Sequence, residues 1–313
     1  MDGGRFLCRG VSWHRGGPAL ALATPDGAQE ELKLPLGVTA GRDDVNLGFR
    51  VLSGYGERHC LGFHRVYGPE SRDHTACPQQ ATAERGYQCG RCFSRDDLRF
   101  MHDVHRSGIA PDGLLSYLAQ EHWLYVATFA DGASKIGTAS NLRKWHRLAE
   151  QGAVVARYVA CADDGRIVRV LEDAVTREVG LAQAVRSSAK TAALASPRTG
   201  PVLEGINAEF AGSVRGLLHD GLDISGFRVV DERWEAPSSW SHVLSATGAQ
   251  LYPHNLATGE HGFLVKALVG PTALTFISGS DVPFLADLSR LKGQRIELGR
   301  YRSLVPEVQA ALF

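Results

Sequence analysis

Apolar and polar positions alternate in short runs over residues 1–58, the pattern of strands that bury one face. Ala19-Leu20-Ala21-Leu22-Ala23 and Glu31-Leu32-Lys33-Leu34 are strand candidates separated by the turn pair Asp26-Gly27, and 45–52 offers a third. Glycine and proline between these runs argue against long helices. The period changes beyond residue 109. His122 to Phe129 is a continuous apolar and aromatic run that reads as a strand, ended by Asp131-Gly132. Ser134 to Gly137 reads as a short second strand and 154–161 as a third. Between them, 141–151 predicts a helix with Ser140 as its N-cap. A longer helix is predicted over 167–187, where Val168, Leu171, Val175, Val179 and Ala182 recur at three- and four-residue spacing. After a Pro/Gly-containing linker, 202–218 predicts a helix with Gly221 beyond its end, and 263–269, 273–277 and 295–298 return to strands. These last strands either complete the N-terminal β element or form a second one.

The pattern therefore predicts an α+β protein in five stretches. They are a β-rich 1–58, an irregular 59–108, an α/β 109–195, a helical linker region 196–245 and a β-rich 246–313. The irregular stretch has too few apolar residues for a core of its own, but it holds Cys60, Cys77, Cys89 and Cys92, four of the six cysteines in the chain. Cys89-Gly90-Arg91-Cys92 is a CxxC turn that supplies two thiolates, and the other two complete a tetrahedral set. The cluster reads as a structural Zn2+ site whose metal stands in for the missing core, since zinc binding contributes ~10–16 kcal/mol to folding such a module. Four thiolates leave no open position for an activated water. His59, His64 and His74 are alternative ligands, and His102 and His105 are weaker candidates for a second site. A CxxC redox pair needs a βαβ context, whereas a turn-rich stretch surrounds this one.

The 313 residues carry 34 Lys+Arg against 34 Asp+Glu, so no global charge draws the chain to nucleic acid. Only a local basic surface can do so. No apolar run is long enough to span a membrane, and no signal segment is expected at the N-terminus. A CxxC metal site together with the isolated Cys8 and Cys161 suits a reducing cytoplasm.

A local basic bias does exist. Lys135, Arg143, Lys144, Arg147 and Arg157 stand against Glu150 alone between residues 135 and 160, and Arg58, Arg65, Arg72, Arg91 and Arg95 surround the cysteines. Gly137 lets backbone approach a ligand, and Thr138, Ser140 and Asn141 offer hydrogen bonds nearby. Glu172, early in the long helix, is a candidate ligand for a hard divalent cation. Basic side chains with Tyr125 and one carboxylate suit phosphodiester chemistry, in which metal and arginine neutralise the phosphate.

At these residues the chain resembles the GIY-YIG nuclease superfamily. Leu124-Tyr125-Val126 matches the first triplet and Lys135-Ile136-Gly137 the second, in the form of the phage-type branch. The resemblance implies a small three-stranded sheet with helices, a catalytic arginine on the helix after the second triplet, and Mg2+ or Mn2+ on Glu172. It makes Tyr125, Lys135, Arg143, Arg147 and Glu172 the candidate catalytic residues, although Lys135 replaces the second tyrosine and Trp145 occupies the arginine position. A broader resemblance rests on Cys60-Leu61-Gly62, Cys77-Pro78, the CxxC, the Lys-Ile-Gly element and Glu150-Gln151-Gly152-Ala153. These are similar to the bacterial and archaeal domain-of-unknown-function family numbered 2797, which brings no activity with it. The sequence thus points to a zinc-containing, DNA- or RNA-binding protein, with phosphodiesterase activity one option. The competing readings are a non-catalytic protein-interaction module and an enzyme acting on phosphorylated small molecules.

Overall fold

The computed structural model describes residues 4–35 and 45–305. The chain divides into two units, one joining Met1–His59 to Ser238–Phe313 and the other comprising Cys60–Pro237. In chain order the first unit opens with strands β1 (Arg5–His14), β2 (Gly17–Ala23), β3 (Gln29–Lys33) and β4 (Val45–Val51). The second unit begins with β5 (Phe63–Val66) and β6 (Arg72–Thr75), followed by helices α1 (Gly90–Arg95), α2 (Val104–Ser107) and α3 (Asp112–Leu118). It continues through β7 (His122–Thr128), β8 (Ser134–Ser140), α4 (Lys144–Gln151), β9 (Val155–Ala162) and α5 (Gly165–Glu178), then α6 (Ser187–Ala193), α7 (Gly200–Asp220) and β10 (Phe227–Arg233). The first unit resumes with α8 (Trp240–Leu244), β11 (Gln250–Leu251), β12 (Glu260–Val269), β13 (Thr272–Phe276), β14 (Pro283–Asp287) and β15 (Arg295–Leu298).

The late strands complete the N-terminal β element. A nine-stranded sheet runs β11-β14-β13-β12-β4-β15-β1-β2-β3, antiparallel except at β11–β14. Alternation in β12 buries His261, Phe263, Val265 and Ala267 on one face. β1 was hidden in the sequence because a bulge between Cys8 and Gly10, where Gly10 takes φ +109°, breaks its alternation. The buried Trp13 packs edge-on against Trp240 at 5.7 Å and donates its indole N–H to the Gly270 carbonyl at 2.8 Å. Gly48 and Gly262 face each other across β4 and β12, and a Cβ on either would lie about 2 Å from the carbonyl oxygen of Gly299 or Tyr301. The missing side chains let residues 299–303 cross the sheet as a strap. Gly262 N–H donates to Ser303 Oγ at 2.9 Å, and Tyr252 hydrogen-bonds both Ser303 and His261. Beside the strap lies a groove of about 730 Å³ with Phe263 and Phe276 in its walls and Arg300 and Arg302 at its rim.

The second unit holds an antiparallel sheet in the order β10-β9-β7-β8. Central β7 is buried at every position. Leu124 and Val126 from β7 meet Val168, Leu171 and Val175 from α5 and Ala211 and Val214 from α7 in one apolar core. The stretch read as a helical linker thus supplies both core and sheet. The sheet has four strands where the superfamily resemblance implies three. β10 escaped the reading because it is a mostly exposed edge strand rich in charge, including Arg228, Asp231, Glu232 and Arg233.

Three further expectations are corrected. α5 ends at Glu178 rather than continuing to 187, because Gly180 turns the chain at φ +79°. The residues beyond it run alongside β8, with Ile136 N–H donating to the Ala182 carbonyl at 3.0 Å. Gly137 does not close β8, which continues to Ser140. Ser140 makes no side-chain cap. Its hydroxyl accepts from the Tyr117 hydroxyl, and a 3-10 turn over Asn141–Arg143 intervenes before α4.

Among the described residues no helix is long and apolar enough to cross a membrane.

Candidate metal centre and arginine-lined cleft

The cysteine module assembles from three local devices. Cys60 precedes and Cys77 follows the β5–β6 hairpin, while Cys89 caps α1 and Cys92 lies in its first turn. Gly62, at φ +87°, passes so close to Thr75 that a Cβ would sit 2.0 Å from its carbonyl oxygen, which brings the chain after Cys60 back beside Cys77. The four sulfurs lie within 4.8 Å of one another, and Cys77 and Cys89 are 4.0 Å apart. A tetrahedral centre with metal–sulfur bonds of about 2.3 Å places its sulfurs about 3.8 Å apart, so the set fits a metal ion. Gly62 N–H donates to Cys60 Sγ at 3.4 Å, the kind of contact that stabilises a ligating thiolate. Burial raises the Cys60 and Cys92 thiols, and neighbouring sulfurs add to the effect at Cys92. At Cys77 burial is outweighed by backbone N–H groups of Ala81 and Gln79. A bound divalent cation reverses the cost of four adjacent thiolates.

Phe63 is the buried apolar neighbour of the cysteine set, and a separate small cluster packs Val66 and Val104 of the module against Leu114 and Leu118 of α3. Buried carboxylates clip its parts together. Asp96 accepts from His64 N–H at 3.0 Å and from Gln88 at 2.8 Å, and Asp97 accepts from Val66 N–H and Arg65, both at 2.9 Å. Arg91 and Arg95 stand directly beside the cysteines and offset their charge. His74 hydrogen-bonds the Leu61 carbonyl and stacks on His64. His105 pairs with Asp173 at 3.2 Å, and the side chain of His102 lies outside what the structure describes. Among the described residues the four cysteines are the one group of three or more potential ligands close enough to share a metal.

The second constellation gathers around Tyr125, Lys135 and Gly137, which alternate along β7 and β8 with the core residues Leu124, Val126 and Ile136. Tyr125 is fully buried there, edge-on to Tyr158, and its hydroxyl accepts from Gln151 at 2.6 Å. Gly137 is its register partner on β8, and a Cβ at that position would meet the phenol oxygen at 2.5 Å. Glycine is thus required by the tyrosine, not by a turn. Lys135, two residues earlier on β8, lies 6.0 Å from the Tyr125 ring and donates to the Gln183 carbonyl at 2.8 Å. Burial, with Arg147 and Arg169 adding, lowers its ammonium pKa to about 8 against the pull of Glu172. Glu172 is 4 % exposed and pairs with Arg169 at 2.5 Å. Burial raises the Tyr125 phenol, with Glu172 adding, while Arg147 and Gln151 oppose the rise. Tyr125, Lys135, Arg147 and Glu172 are therefore within electrostatic reach of one another.

Arg143, at the end of the 3-10 turn, and Arg147, on α4, both line a cleft, while Trp145 points elsewhere, against Trp234 and the Glu235 carbonyl. The cleft encloses about 250 Å³, and Arg72 from β6 and Arg169 from α5 also line it. His122 forms part of its wall. Its Nδ1–H donates to the Gln120 carbonyl at 2.8 Å, Nε2 has no partner among the described residues, and burial lowers its pKa.

Much of the basic bias read from sequence is neutralised elsewhere. Lys144 pairs with Glu232 and sits on the Trp123 ring, and Arg157 pairs with Glu204 and Asp231. Arg169 was missed because nothing local marks it beyond its three-residue spacing to Glu172. Arg72 was noted only as a neighbour of the cysteines. No family model, curated protein or solved structure matches this chain.

Proposed function

We propose that the chain binds nucleic acid through the arginine-bearing face of its second unit, and that its cysteine cluster holds one structural zinc ion. The gathering of Tyr125, Lys135, Arg147 and Glu172 beside a cleft that also carries Arg143 and Arg169 is the observation behind this reading. The order of elements supports a GIY-YIG-like domain: a strand with tyrosine, a strand with Ile-Gly, an arginine-bearing helix, a strand, and a helix with glutamate. The cysteine spacing supports kinship with the family numbered 2797. Zinc is favoured over other metals by an all-thiolate, closed donor set in which each sulfur is buried.

Binding is favoured over cleavage by the state of the side chains. The Tyr125 hydroxyl is enclosed and already hydrogen-bonded, and the Glu172 carboxylate is committed to Arg169. Arg147, by contrast, is exposed. Phosphate contacts through such arginines release counterions, so affinity falls steeply with salt. If about four phosphates are contacted, log K falls against log salt with a slope of about −3 to −4. A fluorescence titration of the metal-loaded chain with short DNA and RNA strands at several salt concentrations measures this. No binding at low salt would leave the protein-interaction reading in its place.

A second reading, phosphodiesterase activity, draws on one specific observation: Arg147 lines the cleft within electrostatic range of Tyr125 although Trp145 occupies the expected arginine position. In that case Glu172 holds Mg2+ or Mn2+, which supplies Lewis-acid activation of the phosphate. Arg147 then neutralises phosphate charge and Tyr125 positions the attacking oxygen. Cleavage that requires magnesium or manganese and disappears in Glu172→Gln supports it. Cleavage that survives both Glu172→Gln and Tyr125→Phe has another source.

A further inference from the structure

The arginine cleft is built from parts distant in sequence. Arg72 is supplied by the hairpin of the cysteine module, Arg143 and Arg147 by the start and body of the α4 segment, and Arg169 by α5. Thr138 and Ser140 stand between them. Ser140 Oγ accepts from Tyr117 at 3.0 Å, so its own proton is available to a ligand. No acidic side chain is among the described residues lining the cleft.

Charge selects the ligand. Arg143 is paired with Glu150 and Arg169 with Glu172, both at 2.5 Å. Among the described residues no carboxylate lies within ion-pair distance of Arg72 or Arg147. Asp164, at the N-terminus of α5, is already paired with Arg166 at 3.0 Å. Four guanidinium groups against two carboxylates leave a surplus of two positive charges around about 250 Å³. An internal phosphodiester carries one negative charge, whereas a phosphomonoester carries about −1.5 to −2 near neutral pH. Planar guanidinium forks bind such a group through paired hydrogen bonds.

We propose that this cleft is a binding site for a phosphomonoester dianion, clamped by Arg72 of the cysteine module together with Arg143, Arg147 and Arg169. Resting on the nucleic-acid reading above, the ligand is the terminal phosphate of a strand. The site then acts as an end-reader, in which the module carrying the cysteines contributes one jaw. Free phosphate and nucleoside monophosphates share the chemistry and are separated from strand ends by the test.

The experiment uses the full, metal-loaded chain at low salt. Eight-nucleotide strands of one sequence, bearing a 5′-phosphate, a 3′-phosphate or hydroxyls at both ends, compete for binding, beside inorganic phosphate and a nucleoside monophosphate. One phosphorylated end is expected to bind about tenfold more tightly than the hydroxyl-ended strand. Phosphate-ended ligand is expected to shift the imidazole resonances of His122, which lies in the cleft wall. Arg72→Ala removes the preference and Arg72→Lys restores part of it. The exposed position of Arg72 lets both variants keep their metal, which elemental analysis verifies. Equal affinity for all three strands overturns the end-reading site while leaving nucleic-acid binding intact, and so does a preference that survives Arg72→Ala. Saturable binding of monophosphate or phosphate without any strand binding overturns the nucleic-acid reading and keeps the dianion site, with a small-molecule ligand.

Discussion

Two parts of the second unit solve the problem of stability in opposite ways. The sheet formed by β7–β10 with α5 and α7 buries a continuous apolar core and saturates its backbone with ladder hydrogen bonds. The cysteine module buries four sulfurs and Phe63 at one end and only a small apolar cluster around Val66 and Val104 at the other, and ties its short elements to carboxylates such as Asp96 and Asp97. One is held by many weak contacts and tolerates the loss of any single one. On the proposed zinc reading the other concentrates its stability in a few strong bonds to one ion, so it is lost abruptly when a ligand goes.

The largest expected effect falls on the module. Cys89→Ser or a strong chelator removes most of the ~10–16 kcal/mol that a structural zinc supplies. Amide exchange across 60–108 then accelerates by orders of magnitude while β7 and α7 stay protected. Elemental analysis of the native chain gives one metal per chain. Uniform protection after metal loss would mean that the module has a core of its own. Leu171→Ala probes the other side. It opens a cavity under β7 and costs about 2–5 kcal/mol in urea unfolding, with metal content unchanged. A loss well under 1 kcal/mol would mean that the sheet core is looser than its burial indicates.

The sheet also carries a titration that sharpens the contrast. Lys135 has its pKa lowered to about 8 in the folded state, below its ordinary value of 10.5. Between these values the unfolded chain holds a proton that the folded chain has released, so stability rises with pH through this window. From pH 8 to 9.5 the gain is about 1–2 kcal/mol, and Lys135→Met abolishes it. The urea midpoint of both proteins across that range is the measurement, and parallel curves would put the ammonium in a solvated setting. The smallest effect is on binding alone. Replacing Arg143 and Arg147 together with alanine lowers the magnitude of the salt slope by about two, leaving the melting temperature of the sheet nearly unchanged. An unaltered slope would move the phosphate contacts to another surface.

The sequence disclosed those features that rest on local pattern. β7 could be read because Trp123 to Ala127 are all apolar or aromatic, α7 because glycine and proline bracket it, and the cysteine set because of its spacing. Features decided by distant partners were not legible. β10 carries charges that find Glu121, Arg157 and Arg215 only in the folded state. The periodicity that favoured a longer α5 was overridden by one glycine at position 180. Trp145 at the arginine position suggested a defective site. Arg143 from the 3-10 turn and Arg147 from α4 nevertheless both reach the cleft while Trp145 does not, an outcome their four-residue spacing allowed. Arg72 and Arg169 could not be brought to the cleft without knowing how the hairpin and α5 pack.

The strand order of the nine-stranded sheet dictates a schedule for synthesis. β4 is hydrogen-bonded on both sides only by strands near the other end of the chain, β12 and β15, and β1 also borders β15. Everything in Cys60–Pro237 is translated before those partners exist. At ~5–20 residues per second, the roughly 200 residues between β4 and β12 take on the order of 10–40 s to emerge. For that time β4 has neither of its neighbours, while the strands of the four-stranded sheet β7–β10 have all been made. Ribosome-stalled chains are therefore expected to acquire protease-resistant β7–β10 first and the nine-stranded sheet only once β12 and β15 have emerged.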